Sequence, residues 1–125
     1  MERFLTIEPK GGAETMSNNH NGARKHMLLT QEIRSRLPKL YSQENVSDPI
    51  AQVKFFSPYS QAVWFVTEFD GKDTMFGWAD VGFGEGELGY ISLRELEGTH
   101  ENGLPLVERD CYWSPRPLSE AIENR

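Results

Sequence analysis

The stretch "AVWFVTEF", residues 62–69, narrows the available folds more than any other, because both of its alternating sets of side chains are apolar. On an extended strand successive side chains point to opposite faces, so Val63 and Phe65 lie on one face and Trp64 and Val66 on the other. A strand that is apolar on both faces belongs inside a sheet covered, at least in part, on both sides. The runs "VKFFSP", "TMFGWADV", "GYISL" and "VERDCYW" are also short and rich in β-branched and aromatic residues, and the turn signals "SPYS", "DGKD" and "GFGEG" part them. "DGKD" reads as a tight hairpin with Gly71 at positive φ.

Helical signals flank these strands. In "LLTQEIRSRLPKLYSQE", Thr30 is a good N-cap, Glu32 sits in the first turn, Leu29, Ile33 and Leu37 recur at helical spacing, and Pro38 ends the helix. Ser92-Leu-Arg-Glu95 matches a capping box and predicts a short helix through Leu93 to Glu97, and "LSEAIENR" can form another. The expected class is α+β: an antiparallel meander sheet of four or five strands with an N-terminal helix and short peripheral helices.

At 125 residues the chain suffices for one domain with its own core. Its net charge of −6 is uneven: residues 1–26 hold four of the thirteen basic and three of the nineteen acidic residues, leaving −7 for residues 27–125. An acidic body repels a phosphate backbone, so direct nucleic-acid binding is disfavoured. Cys111 is the only cysteine, which excludes an internal disulfide and any multi-thiolate metal site. There is no apolar run of membrane-spanning length and no signal peptide at Met1, so a cytoplasmic protein without membrane contact is expected. Residues 1–26 lack hydrophobic period, contain the polar run "SNNHNG", and precede a second potential start at Met27. They are expected to be a disordered leader or extension, with 27–125 as the single folded domain.

"GEGELG", Gly84–Gly89, matches the G-x-G-x-x-G pattern by which many proteins cradle a nucleotide's phosphates. That use requires a strand before the glycines and a helix after them, whereas here they run into the strand-like "YISL". Glu85 and Glu87 would also face the polyphosphate with no Lys or Arg in the loop. The glycines are expected to shape a strand connection. Gly86 should then tolerate alanine or proline, and Gly89 should resist substitution if it lies at positive φ.

"DPIAQVKFFSP", "TEFDGKDTMFGWADVGFGEGELGYISLRELE" and "GLPLVERDCYWSPRPLSE" together resemble DUF2958, a bacterial family of unknown function. The resemblance covers about Leu28 to Glu120, and its distinctive parts are the opening helix, "EFDG", "FG" at Phe76 and Gly77, "ELGYISL" and "ERD". The family pattern often has proline where this chain has Gly86. The resemblance implies a neighbourhood of plasmid and integrative-element genes and carries no chemistry, cofactor or catalytic residue.

Three kinds of site compete. Glu68 with Asp70, and Glu108 with Asp110, are spaced i and i+2, so each pair converges if both members sit on a strand, with Asp73, Asp80, Glu85 and Glu87 as further carboxylates. Such groups suit acid/base hydrolysis or a hard cation, but "DGKD" is also an ordinary polar turn and lacks calcium-loop spacing. Cys111 has no basic partner nearby in sequence and reads as a small buried apolar residue; His20 and His26 fall in the leader, and His100 in the loop "EGTHENG". Aromatic residues are dense, and some of Tyr59, Trp78, Phe83 and Trp113 are expected on an exposed face, where acidic neighbours would make a protein-binding patch. The favoured reading is a small acidic non-enzymatic protein-interaction module that binds another protein and needs no cofactor or metal. Its candidate contact residues are Glu68, Asp70, Asp73, Trp78, Glu85, Glu87, Tyr90, Glu108 and Asp110. A sharper form is an anti-defence inhibitor whose carboxylates imitate a DNA backbone. The alternative is a metal-assisted hydrolase built on Glu68, Asp70 and Asp110.

Overall fold

The computed structural model describes residues 6–7, 27–101 and 103–125. In chain order the elements are β1 (Thr6–Ile7), α1 (Gln31–Arg36), β2 (Ile50–Ala51), β3 (Val53–Phe56), β4 (Val63–Phe69), β5 (Thr74–Asp80), β6 (Glu87–Ser92) and α2 (Leu93–Gly98). They continue with β7 (His100–Glu101), β8 (Leu104–Pro105), β9 (Glu108–Arg109), β10 (Arg116–Pro117) and α3 (Leu118–Glu123). The main sheet runs β1-β6-β5-β4-β3-β9, and every pairing is antiparallel except β1 with β6. The expected α+β class and antiparallel sheet of four or five strands are therefore present, with five antiparallel strands, β6-β5-β4-β3-β9. Of the segment expected to be a disordered leader, Thr6–Ile7 form β1, and the remainder, with His20 and His26, lies outside the described residues.

The two apolar faces of β4 explain the layering. Trp64 and Val66 pack into a core with Val53, Phe55 and Met75, closed over by Leu29, Ile33 and Leu37 around α1 and by Leu93 and Leu96 of α2. Val63 and Phe65 pack on the opposite face with Trp78 beneath Leu118 and Ala121 of α3. Both helices caps work as their sequences suggest: the Thr30 hydroxyl accepts the Ile33 N–H, and the Ser92 hydroxyl accepts the Glu95 N–H. The third helix is capped from a distance, because the Asp48 carboxylate accepts both the N–H and the hydroxyl of Ser119.

A bulge in β4 shifts its register against β5 between Val66 and Glu68. The extra residue, Thr67, turns its hydroxyl to the Phe76 carbonyl. Parity along the strand then reverses, so Phe69 joins the core of Trp64 and Val66 rather than that of Val63 and Phe65. Gly77 lies opposite Val66 at the bulge, and a side chain there would overlap the Phe65 carbonyl oxygen, which accounts for the glycine in "FG". The last expected strand, "VERDCYW", is extended only at Glu108–Arg109; Cys111 and Tyr112 form a turn, and Cys111 is exposed rather than buried.

Candidate functional site

Most of the candidate aspartates, and Glu68, hold backbone. Glu68, 0% exposed, accepts the N–H of Tyr41 at 2.6 Å and of Gln43 at 2.7 Å, fixing a turn in which Tyr41 adopts φ 73°. Asp70 Oδ1 accepts three N–H groups, from Lys72, Asp73 and Thr74, and so closes the hairpin. Burial raises the Asp70 carboxyl pKa, but those three amides and the Lys72 charge outweigh it and hold the group below its ordinary value. Asp73 accepts the Ser92 hydroxyl and the Arg94 N–H, tying the hairpin to the start of α2. Asp110 accepts the Tyr112 N–H and lies 3.8 Å from the Lys54 ammonium.

The expected convergences do not form. Glu68 and Asp70 belong to different turns, and Asp70 falls beyond the end of β4. Glu108 is half-buried on β9 opposite Phe56, whereas Asp110 follows the strand. Asp70 and Asp73 lie in the turn before β5, whereas Asp80 ends β5 and Glu85 and Glu87 follow in the β5–β6 turn and the first position of β6, roughly 20 Å away along a seven-residue strand. Among the described residues no group of three or more His, Cys, Asp or Glu side chains is placed to hold a metal ion.

The glycine loop has a different use from the one its pattern advertises. Asp80, 4% exposed, directs Oδ1 at the N–H groups of Gly82, Phe83 and Gly84, at 2.9, 3.0 and 3.2 Å. Gly82 and Gly84 have positive φ, the conformation that turns successive amides to one side. The loop is an anion-binding nest, and the anion is the chain's own carboxylate. "GEGELG" then enters β6 rather than a helix, as the sequence indicated.

Trp78 is 8% exposed, so it does not belong to an exposed aromatic patch. Its indole stacks on Phe65, with Arg125 across it at 4.9 Å, and a side chain at Gly86 would overlap the ring. That overturns the expectation that Gly86 tolerates alanine or proline: either change requires the buried indole to move. Gly89 pairs with Gly77 inside the sheet and is not among the glycines with positive φ, so the condition attached to it is not met. Tyr90 is half-buried, its hydroxyl 2.7 Å from that of Tyr41 and its ring edge-on to Phe76. Trp113 is half-buried against Phe65.

Tyr59 and Phe83 remain exposed, at 59% and 73%. They occupy the β3–β4 and β5–β6 turns, which the register Phe56↔Val63↔Asp80 brings to the same end of the sheet. Between these turns lies an open cleft of about 540 Å³, lined by Lys54, Ser57, Ser60, Asp80, Asp110 and Arg125 among others. Two long ion pairs, Lys54–Asp110 at 3.8 Å and Arg125–Asp80 at 3.7 Å, balance its charge. The serine hydroxyls accept N–H groups of their own turn, Ser57 from Tyr59 and Ser60 from Ala62. Among the described residues neither hydroxyl bonds to a His, Asp or Glu side chain, and the cleft sets charges of both signs between two projecting aromatic rings. Lys54, Ser57, Ser60 and Arg125 were missed by sequence reasoning, because only the pairing register assembles them.

The architecture is that of a small α+β sheet domain whose loops are closed by side-chain carboxylates. The chain belongs to the DUF2958 family, described as a protein of unknown function, whose model matches residues 28–124. Neither a curated protein nor a solved structure matches it.

Proposed function

We propose that this protein is a small protein-interaction module and that it engages its partner through the end of the sheet where Tyr59 and Phe83 project beside the mixed-charge cleft. The observation that carries the reading is the combination of those two exposed rings on adjacent turns with a cleft of balanced charge. Aromatic anchors beside buried or half-buried charge are typical of contact surfaces between proteins. The use of Glu68, Asp70, Asp73 and Asp80 as backbone acceptors adds support, since the acidic residues that suggested hydrolysis each have a structural role. Residence in the cytoplasm of a host carrying a plasmid or integrative element belongs to the same reading, on the strength of the family. Among the described residues no helix is long and apolar enough to cross a membrane.

A DNA-mimicking, anti-defence mode draws less support. It calls for the carboxylates of "EFDGKD", "GEGE" and "ERD" on one face, and they occupy opposite ends of β5 and the far edge strand. The test is affinity capture from a host carrying the element, with wild type compared with Tyr59→Ser/Phe83→Ser. Both residues are exposed, so the variant should keep its melting temperature and lose its partner. Identical capture by the two proteins would overturn the assignment of this surface.

A further inference from the structure

In the cleft between Tyr59 and Phe83 the carboxylates are engaged and the donors are not. Asp80 Oδ1 takes the N–H groups of Gly82, Phe83 and Gly84, and its Oδ2 lies 3.7 Å from the Arg125 guanidinium. Asp110 Oδ1 takes the Tyr112 N–H. The Lys54 ammonium, on a side chain 20% exposed, makes no hydrogen bond to the described residues: Asp110 Oδ2 is 3.8 Å away, beyond hydrogen-bond reach, and the centroid of the Phe65 ring 6.0 Å. Ser57 and Ser60 each accept one N–H of their own turn, so both hydroxyl protons remain to donate. We propose that this cleft receives the side-chain carboxylate of an aspartate or glutamate on the partner protein, held by the Lys54 ammonium and the Ser57 and Ser60 hydroxyls, an assignment that rests on the contact surface placed at Tyr59 and Phe83.

Hydrogen bonds between ionised groups are roughly twice as strong as neutral ones, so an ammonium without an acceptor is where an incoming carboxylate gains most. The walls also set the charge of the guest. A phosphate group carries nearly two negative charges and meets repulsion from both Asp80 and Asp110, which line the same cleft, whereas a neutral amide forgoes the charge of Lys54. The net charge of −6 repels acidic surfaces in general, so binding depends on one carboxylate seated among these donors rather than on long-range attraction.

The test titrates isotope-labelled full-length protein with three tripeptides that differ only at the centre: acetyl-Val-Glu-Val-amide and its glutamine and phosphoserine counterparts. The glutamate peptide should shift the amide signals of Ser57, Ser60 and Ala62 saturably, with a Kd at least tenfold below those of the other two. Lys54→Met keeps the alkyl stem and removes the charge, so it should weaken the glutamate peptide at least tenfold while leaving the glutamine peptide and the melting temperature unchanged. No saturable shift, equal affinity for the glutamate and glutamine peptides, tighter binding of the phosphoserine peptide, or full affinity in Lys54→Met would each overturn the proposal. The three peptides on wild type give this answer without any variant. Capture by Tyr59→Ser/Phe83→Ser separates the two assignments. Loss of the partner there, with no preference for glutamate, overturns the carboxylate and leaves the contact surface in place; unaltered capture with a clear preference overturns the surface and leaves the chemistry of the cleft standing.

Discussion

At the start of β5, Asp70 accepts the N–H groups of the residues two, three and four places ahead, and at its finish Asp80 does the same. The acceptor distances are close, 2.8, 2.8 and 3.0 Å against 2.9, 3.0 and 3.2 Å, and each turn contains glycine at positive φ. Their surroundings differ. Asp70 is exposed and closes a compact hairpin that Asp73 fastens to α2, whereas Asp80 is buried, lies 3.7 Å from Arg125 and supports the longer loop carrying Phe83. One local device thus serves a purely architectural corner and the rim of the candidate contact surface. What separates the two is burial, together with the groups that stand behind the carboxylate.

If burial sets the difference, removing each carboxylate should separate the two turns clearly. Asp80→Ala removes the shared acceptor of three loop amides and the carboxylate beside Arg125 from a buried position, and should cost about 3 kcal/mol. Asp70→Ala frees amides that water can reach and should cost about 1 kcal/mol or less. Thermal unfolding of the two variants checks this, with a fall in melting temperature several times larger for Asp80→Ala. Equal falls would mean that burial does not distinguish the turns.

The Asp80 turn also differs in what packs beneath it, and Gly86 probes that. A methyl group at this position meets the Trp78 ring, which Phe65 holds on one side and Arg125 crosses, so Gly86→Ala should cost about 2 kcal/mol by overpacking. A double-mutant cycle with Trp78→Leu sharpens the point: in the smaller background most of the penalty should vanish, and an undiminished penalty would place the strain in the backbone instead.

The legible and illegible parts of this fold divide along the range of the interactions. Strands, hairpin and helix caps were readable because their signals are local: Thr30 and Ser92 each accept from a residue three places ahead, and the apolar pattern of Val63 to Val66 states that both faces are covered. The roles of the carboxylates were not. Glu68 bonds an amide 27 residues away in sequence, and the bulge before it, which no residue type announces, sets its side of the sheet. Convergence at i and i+2 presupposes unbroken strands, and both Asp70 and Asp110 fall just past a strand end. Trp78 shows the same limit, since the pattern gives its face but not that α3 covers it.

The smallest expected effect isolates the charge on Asp70 from its hydrogen bonds. Its folded-state pKa lies below the ordinary carboxyl value because the amides of Lys72, Asp73 and Thr74 and the Lys72 charge together exceed the opposing effect of burial. A depressed carboxyl contributes stability that is complete above the unfolded pKa of about 4 and is lost as pH falls through the folded value. Asp70→Asn keeps an acceptor oxygen in the same place and removes the charge, so it should be slightly less stable than wild type at pH 7. The gap should narrow from about pH 5 downward and close once the folded wild-type carboxyl is protonated, below its folded pKa. Denaturant unfolding of both proteins between pH 7 and pH 2.5 measures it. A gap that stayed constant over that range would show that the turn is held by the acceptor's position alone, and that its charge contributes nothing.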